Sequence, residues 1–251
     1  MSSIKKVIAG VLVLSAVSFS TEAQLFKDVK DKANNLFNTN KGGQGSLTKT
    51  DISNGLKEAL QVGAKNATNQ VSAPNGFFGN ALIKVLMPPE AKKVESTLRE
   101  VGMGSYVDNA ILSMNRAAED ASTKALPIFI NAIKNMTIED AVGILNGGPN
   151  SATNFLKSKT TAQLTAAFRP IIETSLDKVN ATKYWAEVFN VYNELPTTFN
   201  KVNPDLAGYV TDRALNGVFV YIAEEENKIR ANPAARVTDL LKKVFDNVGK
   251  K

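Results

Sequence analysis

Residues 205–230 read DLAGYVTDRALNGVFVYIAEEENKIR. Leu215, Phe219, Ile222 and Ile229 fall at steps of four, three and seven, which places them on one side of an α-helix. Ala214, Val218 and Tyr221 widen that side into an arc too broad for a two-helix seam. A helix with so wide an apolar arc needs neighbours on several sides. Its 26 residues span roughly 39 Å, about the diameter of a small domain. The stretch predicts a long central helix around which the other segments pack.

The preceding segments supply candidates for those neighbours. Asp51 is a natural N-cap, and Ile52, Leu56, Leu60, Gly63, Ala67 and Val71 form a seam whose small middle residues admit another helix closely. Pro74-Asn75-Gly76 reads as a turn. Residues 77–87 are apolar and partly β-branched, the one place where a strand competes, and Pro88-Pro89 closes it. Pro89 opens a helix over 90–101, stopped by Gly102. Ser105 is expected to cap a helix whose buried line is Val107, Ala110, Ile111, Met114, Ala118 and Ala121, ending near Lys124. Pro127 predicts a kink or a new helix through Met136. Thr137 and Asp140 have capping-box spacing, and their short helix ends at residues 147–150.

Ser151 begins a further short helix, and Thr160 or Thr161 is expected to cap the next, with a kink at Pro170. Residues 184–195 carry Trp185, Val188, Phe189 and Tyr192, and 236–248 make a last amphipathic helix with Val237, Leu240, Leu241, Val244 and Phe245 inward. About nine helical patterns with almost no period-two alternation predict an all-α class: one compact multi-helix domain over 47–248. No fixed-period repeat suggests a solenoid.

Two segments lie ahead of that domain. Residues 1–23 run from Lys5 and Lys6 through an apolar stretch, Val7 to Val17, to small residues at Thr21 and Ala23. This is the order of a cleavable secretory signal peptide, and the apolar run is short for a bilayer span. Residues 24–46 read as an amphipathic arm, with Leu25, Val29, Ala33 and Leu36 on one face, followed by the linker Lys41-Gly-Gly-Gln-Gly-Ser46. Its mixed polar face is weakly basic for a membrane surface, so docking on its own domain or on a partner is the expected role. No later segment is long and apolar enough to span a membrane.

Composition removes several function classes. The chain has no cysteine, so folding proceeds without disulfides and the bacterial lipoprotein route is closed. Cleavage before Gln24 removes Lys5, Lys6 and Glu22, leaving 28 basic and 23 acidic residues and a net charge of +5. That excess is scattered and does not indicate nucleic acid. The chain also lacks histidine, which rules out a Ser-His-Asp triad and the ordinary catalytic zinc site. No motif predicts a metal or cofactor. An enzyme built from this chain works with carboxylates, Lys, Tyr, Ser or Thr. The expected location is the periplasm or cell envelope.

Several segments have a familiar order: GLKEAL at 55–60, MNRAAE at 114–119, MTIEDAVGIL at 136–145, FRPI at 168–171, IAEEENKIR at 222–230 and NPAARVTDLLKKVF at 232–245. Together, over about 47–245, they resemble a bacterial family, domain of unknown function 4197. The resemblance implies an exported helical protein of Gram-negative-type envelopes. It brings no activity, substrate or catalytic residue.

Polar candidates come from two helices. Asn115, Arg116 and Glu119 flank the buried line of one, and Glu225 and Glu226 flank the apolar arc of the central helix. Packed edges would bring Arg116 near Glu225 or Glu226, making either a structural ion-pair network or a polar ligand-binding pocket. Glu119 with Glu225 or Glu226 also supplies the two acids that a carboxylate-dependent hydrolase of an envelope polymer requires. The other reading is a non-enzymatic protein that binds a protein partner or a small apolar ligand between helices. Residues 146–151, Asn-Gly-Gly-Pro-Asn-Ser, lack the strand and the Gly-Lys-Ser/Thr ending of a phosphate loop. Phe77-Phe78 lies on a Gly-flanked loop, where exposure would mark a contact surface.

Overall fold

The structure is a computed structural model that describes residues 48–194 and 201–231. The chain divides into two units, Met1–Gly45 and Ser46–Lys251, and all described residues belong to the second. The arm at 24–46 and the amphipathic segment at 236–248 lie outside them. Among the described residues there are eight α-helices, one short 3-10 turn and no strand. We number the helices α1 (Lys49–Ser72), α2 (Lys92–Glu100), α3 (Gly104–Ser122), α4 (Ala125–Lys134), α5 (Ile138–Asn146), α6 (Ser151–Asp177), α7 (Ala181–Glu194) and α8 (Leu206–Ala231).

The expected all-α class holds, but among the described residues there are eight helices against the expected nine or so, and two expected segments have merged in α6. The segments beginning at Ser151 and at Thr160 or Thr161 are one continuous helix. The Thr160 and Thr161 hydroxyls donate back to the Leu156 and Lys157 carbonyls at 2.7 and 2.6 Å, inside the helix. They therefore do not cap a new one. Helix starts shift elsewhere too. Thr48, not Asp51, is the N-cap of α1: its Oγ1 accepts from the Asp51 N–H and Asp51 accepts in return from the Thr48 N–H, closing a capping box. Those Thr48 hydrogen bonds hold the Asp51 carboxyl below its ordinary range. Ser105 caps nothing, because α3 begins at Gly104 without a side-chain cap. The capping box of Thr137 and Asp140 forms as expected, with both bonds at 3.0 Å. Pro127 sits in the first turn of α4, where a missing N–H leaves no helical bond unmade.

Helix α8 is the centre. It packs against α1, α3, α6 and α7 and buries residues on several sides, from Leu206 and Val210 through Ala214, Val218 and Ile222 to Ile229. The small residues of α1 permit close approach: a Cβ built at Gly63 would lie 3.4 Å from the Glu225 Cβ. Phe129 of α4 meets Phe219 of α8 edge-on, with ring centroids 5.8 Å apart and planes at 71°.

Between α1 and α2 the chain makes no strand. It turns at Asn75, which takes the left-handed conformation at φ 65°, and runs without regular structure from Lys84 to Pro88. Phe77 is fully buried, so it lacks the exposure that would have marked a contact surface; its ring fills the space that a side chain at Gly217 of α8 would occupy. Phe78 is half-buried. Gly217→Ala should therefore destabilise the fold by about 1–3 kcal/mol through overpacking, despite alanine's better helix propensity. Urea denaturation measures it; unchanged or increased stability would show that the Phe77 ring can move aside.

Candidate functional site

The five candidate residues do not converge. On α3, Asn115 and Glu119 lie one turn apart on the face that meets residues 77–87, and both are buried. Asn115 acts as a two-sided clamp on Val85. Its Oδ1 accepts from the Val85 N–H at 2.9 Å, and its Nδ2 donates to the Val85 carbonyl at 2.7 Å and to the Ile111 carbonyl at 2.7 Å. Glu119 accepts from the backbone N–H groups of Phe77 and Phe78 at 3.1 and 3.2 Å. A segment without secondary structure cannot leave its amides unpaired at the core, and these two side chains replace a strand partner.

Arg116 does not reach the central helix's carboxylates. It pairs instead with Glu119 at 2.6 Å on its own helix, and donates to the Asn75 side-chain oxygen at 2.8 Å. The geometry explains why: Arg116 points to the exposed edge, with its side chain 44% accessible against 6% for Glu119. Arg116→Met should therefore change stability by no more than about 1 kcal/mol, the range of solvent-exposed pairs. A loss of several kcal/mol in urea denaturation would show that Glu119 depends on its cation and not on the two amides.

Glu225 and Glu226 are adjacent in sequence and face different neighbours. Glu225 accepts from the Asn66 side chain of α1 at 3.0 Å and from Lys228 at 2.7 Å. This contact holds the Lys228 ammonium above its ordinary pKa range. Glu226 turns to α6, accepting from the Ala152 and Thr153 N–H groups at 3.1 and 2.9 Å and from the Thr153 hydroxyl at 2.8 Å. Arg230 completes this set: its Nε donates to Glu226 at 2.8 Å, and its other nitrogens donate to the Ile144 and Gly147 carbonyls at the end of α5. The first turn of α6 has no cap of its own, since Asn150 makes no side-chain cap bond. Glu226 is thus a cap supplied from another helix, placed where the helix dipole favours an anion. That position is the one residues 146–151 would offer to a phosphate.

Phe77, which Glu119 holds, contacts α8 at Gly217, and Glu225 lies roughly 12 Å further along the axis at 1.5 Å per residue. Two carboxylates in glycosidase geometry face one another across an open cleft, whereas Glu119 is bonded to the Phe77 and Phe78 amides, Glu225 to Asn66 and Glu226 to the start of α6. The cavities beside Glu225 and Glu226 have volumes of about 10 and 20 Å³ and are lined by Leu60, Gly63, Ile222 and Ile229 among others. Space of that size holds about one water molecule. Among the described residues no group of three or more carboxylates converges as a metal site requires, and no helix is long and apolar enough to cross a membrane.

Sequence reasoning missed Asn66, Asn75, Thr153 and Arg230. The spacing of Glu226 and Arg230 at i,i+4 was a legible signal. The asparagine and threonine partners carried none, because they come from distant segments.

An all-helical domain whose buried carboxylates serve as backbone caps and helix ties is thus the class this structure defines. Residues 46–246 match the family model described as "Protein of unknown function (DUF4197)", and the chain belongs to that family. No curated protein and no solved structure matches it.

Proposed function

We propose that this chain is an exported, non-enzymatic protein of the cell envelope that acts by binding a protein partner. The observation that carries this reading is the engagement of Glu119, Glu225 and Glu226. Each already accepts hydrogen bonds from its own fold, so none is held in reserve for acid-base chemistry. The cavities beside Glu225 and Glu226 are water-sized, so neither takes a small apolar ligand at these candidate residues. The signal-peptide order of residues 1–23 supports export. The carboxylate-hydrolase reading has no comparable support, because the residues that suggested it answer to different neighbours.

Native mass spectrometry on protein released gently from its own envelope tests this. The expected result is a chain beginning near Gln24 in a stoichiometric complex with another polypeptide. Recovery as a free chain in every preparation, or retention of residues 1–23, would overturn it. A small-molecule mass increment would replace it with the apolar-ligand reading.

A further inference from the structure

The segment between α1 and α2 is pinned at short intervals yet displays apolar side chains outward. Glu119 holds the amides of Phe77 and Phe78, and Asn115 holds both backbone groups of Val85. The Asn80 amide donates to the Tyr221 hydroxyl at 2.6 Å, and the Tyr209 hydroxyl donates to the Leu86 carbonyl at 2.9 Å. Ile83, Val85 and Met87 face the core, while Leu82 and Leu86 stand 77% and 54% exposed. A backbone fixed in this way loses little conformational freedom when something binds it.

Charge narrows the occupant. The Lys84 ammonium lies between the two leucines in sequence and 3.8 Å from the centroid of the Phe78 ring. It makes no ion pair among the described residues. Arg116 borders the same ring, 6.0 Å from its centroid, but is neutralised by Glu119. The surface therefore offers apolar contact, part of an aromatic face and the Lys84 cation, which no described carboxylate pairs. An occupant complementary to all three carries apolar side chains beside a carboxylate. An anionic bilayer fits less well, since lipid surfaces are gripped by clusters of several free cations, and from Leu82 to Leu86 the chain carries Lys84 alone. A strand added along residues 84–88 also fits less well, since Asn115 and Tyr209 already occupy backbone groups at Val85 and Leu86.

We infer that Phe78, Leu82, Lys84 and Leu86 form the docking surface for an acidic amphipathic segment of a partner protein. This rests on the proposal that the chain binds a protein at all. The test uses the full chain in the cells that produce it, with a photoreactive benzoylphenylalanine at Leu82 or Leu86. Control positions are the exposed Tyr106 and Val179. One discrete protein adduct is expected from Leu82 and Leu86 and not from the controls, with its cross-linked segment carrying Asp or Glu beside apolar residues. Lys84→Glu should weaken the adduct by roughly tenfold or more, as reversing one charge of a complementary pair does. Replacing a carboxylate of the mapped segment by lysine should restore it. Circular dichroism checks that each variant keeps its helices.

An adduct unaffected by Lys84→Glu, a mapped segment without carboxylates, or an adduct between two copies of this chain would overturn the inference. So would Leu82-dependent sedimentation with phosphatidylglycerol vesicles, which would assign the surface to a bilayer. A discrete adduct from Tyr106 or Val179 with none from Leu82 or Leu86 would overturn this surface and leave partner binding intact. Absence of adducts from all four positions would remove both.

Discussion

Glu226→Met is expected to lower the unfolding free energy by about 3–5 kcal/mol, the cost of stranding buried partners of a charge. In a domain of this size that is a drop of roughly 6–20 °C in melting temperature. The substitution keeps the aliphatic bulk and removes only the acceptor. What it strands is specific: the N–H groups of Ala152 and Thr153 and the Thr153 hydroxyl, while Arg230 loses its bond to the carboxylate. Among the described residues Arg230 is the least exposed ion-paired cation, with its side chain 19% accessible. Glu226→Met with Arg230→Met should recover part of the loss and no more. Removing Arg230 takes away the cation that faced the lost carboxylate, but the first-turn amides of α6 still lack an acceptor, and the Ile144 and Gly147 carbonyls lose their donor. A single substitution costing under about 1 kcal/mol would show that water caps α6 as well as the carboxylate does.

The same contact explains why the glycine-rich turn at 146–151 is not a phosphate site. A helix N-terminus attracts an anion through its free amides and its dipole, and here a carboxylate of the same chain occupies the position. This helix end serves to lock α5, α6 and α8 together: Arg230 bonds the end of α5 and Glu226 the start of α6.

How much of this was legible follows from the range of each signal. The wide apolar arc of residues 205–230 predicted a helix with neighbours on several sides, and α8 has them. The Gly63 seam predicted close approach, and Glu225 and Ile229 lie against Gly63. These are short-range patterns written within one segment. The candidate site depended on long-range placement, and there periodicity stopped short. It put Arg116 at the edge of its helix's buried line, which is right, but could not say which neighbour lies beyond that edge. The neighbour is the turn at Asn75, not α8. Likewise nothing local marks Phe77 as core, because its slot is made by Gly217, 140 positions later. The merging of two expected helices into α6 has a different origin. Threonine hydroxyls bond forward as caps or backward within a helix with similar ease, so their sequence alone does not choose.

Asn115 offers the sharpest test of how the segment over 83–87 is held, because both of its functional groups are used on a fully buried side chain. Asn115→Leu should cost about 2–6 kcal/mol, from leaving the Val85 N–H and carbonyl without partners at about 1–3 kcal/mol each. Asn115→Asp distinguishes satisfied hydrogen bonds from mere shape. One carboxylate oxygen can still accept from the Val85 N–H. The other replaces a donor that lies 2.7 Å from both the Val85 and Ile111 carbonyls, and would oppose them with negative charge. Burial and those two carbonyls favour the protonated acid, which can donate to one of them, so the folded-state pKa is raised. An acid with a raised folded pKa is destabilising above its unfolded pKa, about 3.9 for aspartate, and that penalty fades as pH falls toward this value. The deficit of Asn115→Asp relative to the unsubstituted protein should therefore be largest near neutral pH and shrink steadily towards pH ~4, while that of Asn115→Leu stays nearly constant. Paired urea titrations across that range measure both. Parallel pH profiles for the two variants would show that the aspartate escapes to solvent, and that the 83–87 segment is held by its buried side chains without the Asn115 clamp.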